Sequence, residues 1–254
     1  MPENAFDAEP EPQKLSEISR LTGVFFEPTK AFTDIAERPR WFVPLLLVTL
    51  ATVAFYVTYG QRNGWRSFVE EQMQSNARMA QQMDQLSPEK REQTINMQAK
   101  IIMPITYYVG PVIGMPLGYL FASLILLGVA SGIMSAGVKF KQIFAIQCYA
   151  GLTGIISKIL GIVVMFLKSP DRFNLMNPLA FNPAAFMDPK TTSKFLYTIA
   201  SGCDLFIFWG MLLTAIGLKA AAGKRLSFGG ALFAVALPWA FFLLIGASIA
   251  GAFS

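Results

Sequence analysis

The sequence contains no histidine. That removes the side chain most often used as a metal ligand, and the one best poised to act as a general base near neutral pH. A rhomboid-type protease, whose serine needs a histidine partner, is excluded on this ground. Cysteine is scarce: only Cys148 and Cys203 occur, both inside apolar blocks. At different expected depths they read as small buried hydrophobes rather than as a disulfide. Charge is also thin. Asp, Glu, Lys and Arg make up 15% of the 254 residues, where an average soluble domain carries about 25%. The net charge of +5 is scattered, with no dense basic run to track a nucleic acid. No Gly-rich phosphate loop of the P-loop form is present.

What the chain has instead is apolar length: 54% of its residues are hydrophobic, gathered into a few long blocks. The first, WFVPLLLVTLATVAFYVTYG at 41–60, carries no charge and has the ~20 residues that cross a bilayer core. Trp41, Tyr56 and Tyr59 sit near its ends, as interfacial aromatics do. It starts too late and runs too long for a signal-peptide core, so it is expected to act as its own targeting signal. The block from Ile101 to Gly137 is longer than one span needs but has no polar turn to divide it. Pro104, Pro111 and Pro116 predict a kinked approach, then a span at about 112–136. Three further spans are expected at about 142–167, 195–218 and 228–253. The fold class that follows is an all-α integral membrane protein, a bundle of five transmembrane helices.

The polar segments have their own patterns. Residues 1–14 are acidic and Pro-rich and read as a disordered tail. In 15–40, Leu15, Ile18, Leu21 and Phe25 recur at helical spacing, as do Phe32, Ile35 and Ala36. Two short amphipathic helices are expected there, either lying on the membrane surface or docked against the protein's own loops. Residues 61–100 predict a helical loop with the stripe Trp65, Phe68, Val69, Met73, Met79, Met83 and Leu86. Ser87, Pro88 and Glu89 form a helix start, with a cap, a proline in the first turn and an acid at the positive end. The short loops 137–141 and 219–227 are purely basic, which places them, and the N-terminus, on the cytoplasmic side and the C-terminus outside.

Two groups of residues stand out as candidate sites. Gly110, Gly114 and Gly118 lie four apart, as do Gly128 and Gly132. That spacing puts them on one helix face, suited to close packing either within this bundle or against a partner. Lys158 and Asp204 are ionisable residues within the third and fourth spans. Each costs about 2.5–3.5 kcal/mol at mid-membrane on insertion scales. By residue count both lie ~14 Å from the same boundary, so an intramembrane polar pair is expected, structural or on an ion path. A lone Asp204 in the spans does not supply the two carboxylates of an intramembrane aspartyl protease. Nothing marks the loop acids Asp171 and Asp188 as catalytic.

Several stretches together resemble a known family. FFEPTKAFTDIAERPRWFVPLLLVTL, LSPEKREQ, MPLGYLFASLILLGVASGI with the following VKFKQIFAIQCYAGL, and CDLFIFWGMLLTAIGL look like bacterial members of the Yip family, the Ypt-interacting-protein domain. The resemblance runs over roughly residues 18–250. It implies five spans, a cytoplasmic N-terminus and a C-terminus at the far face. Eukaryotic members bind small Rab-type GTPases, and many carry a long soluble N-terminal region; this sequence is expected to lack that region, so GTPase binding is not expected of it. Some bacterial members accompany ABC-type export systems. The expected function is therefore a non-enzymatic scaffold or accessory subunit of the bacterial cytoplasmic membrane. The alternatives are a small transporter or channel subunit using Lys158 and Asp204, or a membrane-shaping protein that wedges its N-terminal helices into one leaflet. Expected partners are the lipid bilayer, other membrane proteins such as an ABC-type exporter, and a second copy of the chain. No cofactor, metal or nucleic acid is expected.

Overall fold

The computed structural model describes residues 14–75, 77–188 and 191–252, which are helical with connecting turns and contain no strand. The acidic tail expected at 1–14 lies, apart from Lys14, outside the described residues. Five helices are long and apolar enough to cross a membrane: Phe42–Arg62, Pro88–Ile133, Phe140–Leu167, Leu205–Arg225 and Phe228–Ala252. The expected fold class, an all-α five-span membrane bundle, is what the structure shows.

Helices α1 (Glu17–Phe26) and α2 (Pro28–Glu37) form an N-terminal hairpin. Ser16 caps α1 by accepting from the Ser19 amide at 3.1 Å, and Pro28 opens α2. Both helices dock on the protein itself. Val24, Phe32 and Ile35 are fully buried against Val48, Ile146, Tyr149 and Leu213. Gly217 makes this approach possible, since a Cβ there would lie 2.8 Å from Phe32 Cδ1.

A buried ion cluster locks the hairpin. Arg20 of α1 is 1% exposed, and its Nε donates to Asp34 Oδ2 of α2 at 2.5 Å. Arg38 donates to the other Asp34 oxygen, as does the Leu15 amide at 3.3 Å. Glu17 reaches the Tyr149 hydroxyl on the bundle and lies 3.8 Å from Arg20 Nη1. The stripe read from sequence is thus rotated: Arg20 and Val24 face inward, and Ile18 is 74% exposed.

After α3 (Phe42–Arg62), helices α4 (Trp65–Ser75) and α5 (Ala77–Asp84) fold back over the far end of the bundle. Trp65, Phe68, Val69, Met73 and Met83 are buried there with Tyr59, Met165 and Phe173. Trp65 stacks on Tyr107 at 4.7 Å and donates to the Tyr108 hydroxyl at 2.9 Å. Met73 and Met83 fill an apolar face, a use that suits the flexible thioether.

Helix α6 (Pro88–Ile133) starts at the Ser87 cap and continues without a stop into the membrane. Of the prolines expected to kink the approach, Pro104 and Pro111 follow π-turns at Gln98–Ile102 and Ile105–Val109, while Pro116 lies within regular α-helix. Such wider turns accommodate the ring and the missing N–H that a regular α-turn would reject.

Within the third span, helix α7 (Phe140–Ala150) yields to α8 (Thr153–Leu167) through a tight turn at Gly151–Leu152. The fourth span, expected over 195–218, falls at Leu205–Arg225 instead. Residues 194–202 form a separate helix, α9 (Lys194–Gly202), and a break at Cys203–Asp204 precedes α10 (Leu205–Ala222). Helix α9 packs along α11 (Phe228–Ala252): Gly251 sits beside Phe195, and a Cβ on Gly202 would collide with Leu243.

The hairpin lock is testable. Asp34→Ala should strand the buried Arg20 guanidinium and lower stability by about 3–5 kcal/mol. The readout is a thermal melt in detergent together with proteolytic release of the segment before α3. A wild-type melt with an intact N-terminus would show that the cluster does not hold the hairpin.

Candidate functional site

The turn within the third span and the break before the fourth face one cavity of about 670 Å³, lined from α6, α7, α8, α10 and α11. Its wall includes Tyr119 and Gln147, Thr153 next to the turn, Asp204 at the break, and Lys158 one turn into α8. Glycines keep it open. A Cβ on Gly118 or Gly154 would meet nothing within 4 Å.

Asp204 sits in extended backbone with φ −99° and ψ 141°, which ends α9. Its Oδ1 accepts from the Phe206 amide at 2.8 Å, capping α10. Its Oδ2 accepts from Asn182 Nδ2 at 3.3 Å. Asn182 belongs to the loop after α8, and it exchanges two hydrogen bonds with Asn177 at 3.0 and 2.8 Å. The neighbouring Phe181 carbonyl accepts from the Leu205 amide at 3.1 Å. The loop thus reaches inward to satisfy the polar groups that the break exposes. Phe173, Leu175, Leu179 and Ala184 of the same loop are buried.

Lys158 does not pair with Asp204. Its Nζ lies 4.8 Å from the centre of the Phe55 ring and 5.6 Å from that of Tyr56, both on α3. Gly161 lets α3 approach, since a Cβ there would lie 2.8 Å from Phe55 Cε2. The sequence-based expectation of a Lys158–Asp204 ion pair is therefore corrected. Both line one cavity, but no ion pair joins them among the described residues. The physical reason is that a helix start needs an acceptor, and the Asp204 carboxylate serves the two N–H donors around it.

The glycine expectation is also corrected in part. At Gly110, Gly114, Gly118, Gly128 and Gly132 an added Cβ would meet nothing within 4 Å. None of them makes a close helix contact inside this chain.

Sequence reasoning missed the Asn182–Asp204 contact, the aromatic seat of Lys158, and Gln147. Nothing in the loop pattern NLMNPLAFNPAAFMDP signals an inward turn. The Arg20–Asp34 cluster did carry a signal, since Arg20 precedes Val24 by four and Asp34 lies between Phe32 and Ile35. The described residues hold no group of three or more His, Cys, Asp or Glu able to bind a metal.

Five helices long and apolar enough to span, gathered around a partly polar cavity, define a multi-pass membrane protein. Comparison with known families goes one step further: the Yip1 domain matches residues 22–249, and the chain belongs to that family. The family is membrane-associated and non-catalytic. No curated protein and no solved structure matches the chain.

The separation of the two ionisable residues has a measurable consequence. In a double-mutant cycle on thermal stability, Asp204→Leu should cost about 1–2 kcal/mol through loss of the α10 cap. Lys158→Met should cost less, and the two should add to within about 0.5 kcal/mol. A coupling above that would reveal a direct pair.

Proposed function

We propose that this chain is a non-enzymatic scaffold or accessory subunit of the bacterial cytoplasmic membrane, with an ABC-type exporter as its partner. The observation that carries this reading is the open small-residue face of α6. Only 11% of its spanning window is buried, and a Cβ on any of Gly110, Gly114, Gly118, Gly128 or Gly132 would meet no neighbour within 4 Å. Membrane helices associate through such faces because small residues let backbones approach. Family membership supports the non-catalytic part. The test is affinity capture from native membranes. An exporter should co-purify, and Gly114→Leu should lose it without moving the melting temperature. Capture of only a second copy of this chain would replace the reading with homo-oligomerisation.

The cavity favours a second reading, a small transporter. Helix breaks and turns beside a polar pocket are a recurrent way to build a substrate site in a membrane protein. Flux in liposomes that contain this protein alone separates this reading from the first. The membrane-wedge reading has less support, because α1 and α2 spend most of their apolar surface on the bundle. Of their large apolar residues, Ile18 and Phe26 remain exposed, at 74% and 84%.

The orientation that goes with these readings puts the N-terminus in the cytoplasm and the C-terminus outside. It is supported by Lys139, Lys141, Lys219, Lys224 and Arg225, which flank the ends of α7, α10 and α11. Arg225 packs against Gly137, so the two basic loops share one face. A reporter after Ser254 should read outside and one at Gly223 cytoplasmic. Both on one side would refute five spans with this orientation.

A further inference from the structure

We propose that the cavity binds an amphiphile carrying one anionic phosphate or carboxylate group, with Lys158 as its counter-ion and its acyl chain in the groove between α6 and α11. The inference stands apart from the scaffold reading, since a protein can join an exporter and bind no amphiphile, or the reverse.

Charge complementarity selects the headgroup. The two charged side chains on the cavity wall are Lys158 and Asp204. Both Asp204 oxygens already accept hydrogen bonds, from Phe206 and Asn182. Lys158 faces two aromatic rings and has no carboxylate partner among the described residues. Ring faces only partly replace an anion for an ammonium held away from water. Lys158 is therefore the charged group on this wall that lacks both a counter-ion and a hydrogen-bond partner among the described residues.

Shape selects the tail. A second cavity of about 290 Å³ shares Ala122, Gln147 and Val235 with the first. Beyond them its wall is apolar, with Phe121 on α6 and Trp239 and Phe242 on α11. Phe121 and Phe242 are exposed on the side of the bundle that faces lipid. The polar chamber thus continues into an apolar groove that opens sideways. A site of this size, ~300–1,000 Å³, suits a small ligand, and a soluble ion has no use for the groove.

The full chain, purified in a neutral detergent, is titrated with phosphatidylglycerol, oleate or phosphatidylcholine, and bound molecules are counted by native mass spectrometry. One phosphatidylglycerol or one oleate per chain should be retained, and phosphatidylcholine should not. Whichever anionic probe binds tighter identifies the source, lipid or free acid. Lys158→Met should weaken binding at least tenfold, while Lys158→Arg keeps it. Gly118→Leu should fill the chamber and abolish retention with an unchanged melting temperature, which guards against a Lys158 variant that merely misfolds. Equal retention of charged and zwitterionic lipid, or retention unaffected by both Lys158→Met and Gly118→Leu, would overturn the proposal.

Discussion

The interior of the bundle depends on the need of backbone polar groups for hydrogen bonds where water is excluded. The helix break at Cys203–Asp204 exposes amides at the start of α10 that have no intrahelical partner. Asp204 answers one of them, the Phe206 amide, from its own side chain. The Phe181 carbonyl answers another, the Leu205 amide. Asn182 then donates to the far carboxylate oxygen, so the acid is held by hydrogen bonds on both sides. Because these groups come from the loop after α8, that loop must fold inward and bury Phe173, Leu175 and Leu179. The break also gives the cavity its Asp204 wall. Backbone satisfaction at one dipeptide thus fixes the loop, the carboxylate and the chamber together.

The opposite end of the molecule is built on a different balance. Arg20 is fully buried, which is costly for a guanidinium, and Asp34 offsets this by accepting from Arg20, Arg38 and the Leu15 amide at once. Such clusters contribute little net stability compared with a well-packed apolar substitute, but they penalise misdocking heavily. Apolar packing supplies the attraction, through Phe32 and Ile35 seated on α7 and α10. The ion cluster supplies geometry, since it forms only when α1 and α2 meet in one register. Gly217 links the two effects by letting the α2 face reach α10.

Between these well-packed ends, α6 and α11 remain sparsely covered, with 11% of each spanning window buried. In lipid this costs nothing, because the surroundings are as apolar as a protein core. It leaves two helices whose faces can be used for other contacts. The glycine face of α6 suits another helix, and the groove beside Phe121 and Trp239 suits an acyl chain.

The amino-acid sequence by itself determined the number and class of the spanning elements. Apolar runs of bilayer length and helix starts such as Ser87–Pro88 are local properties, and a chain with such runs has no other way to satisfy its backbone in lipid. Local pattern also singled out Lys158 and Asp204 as ionisable residues among apolar runs, and the structure puts both on one cavity wall. What tertiary structure alone decided was what each of them touches. Hydropathy carries no information on whether an acid caps a helix or pairs with a lysine, because both satisfy it equally. The outcome turned on Asn182 arriving from 22 residues earlier in the chain and on Phe55 from 103 residues before Lys158. The orientation of the glycines was likewise undetermined, since spacing by four fixes a common face but not what that face meets. That depended on how α6 was rotated against its neighbours, which is a property of the packed bundle and of no single segment.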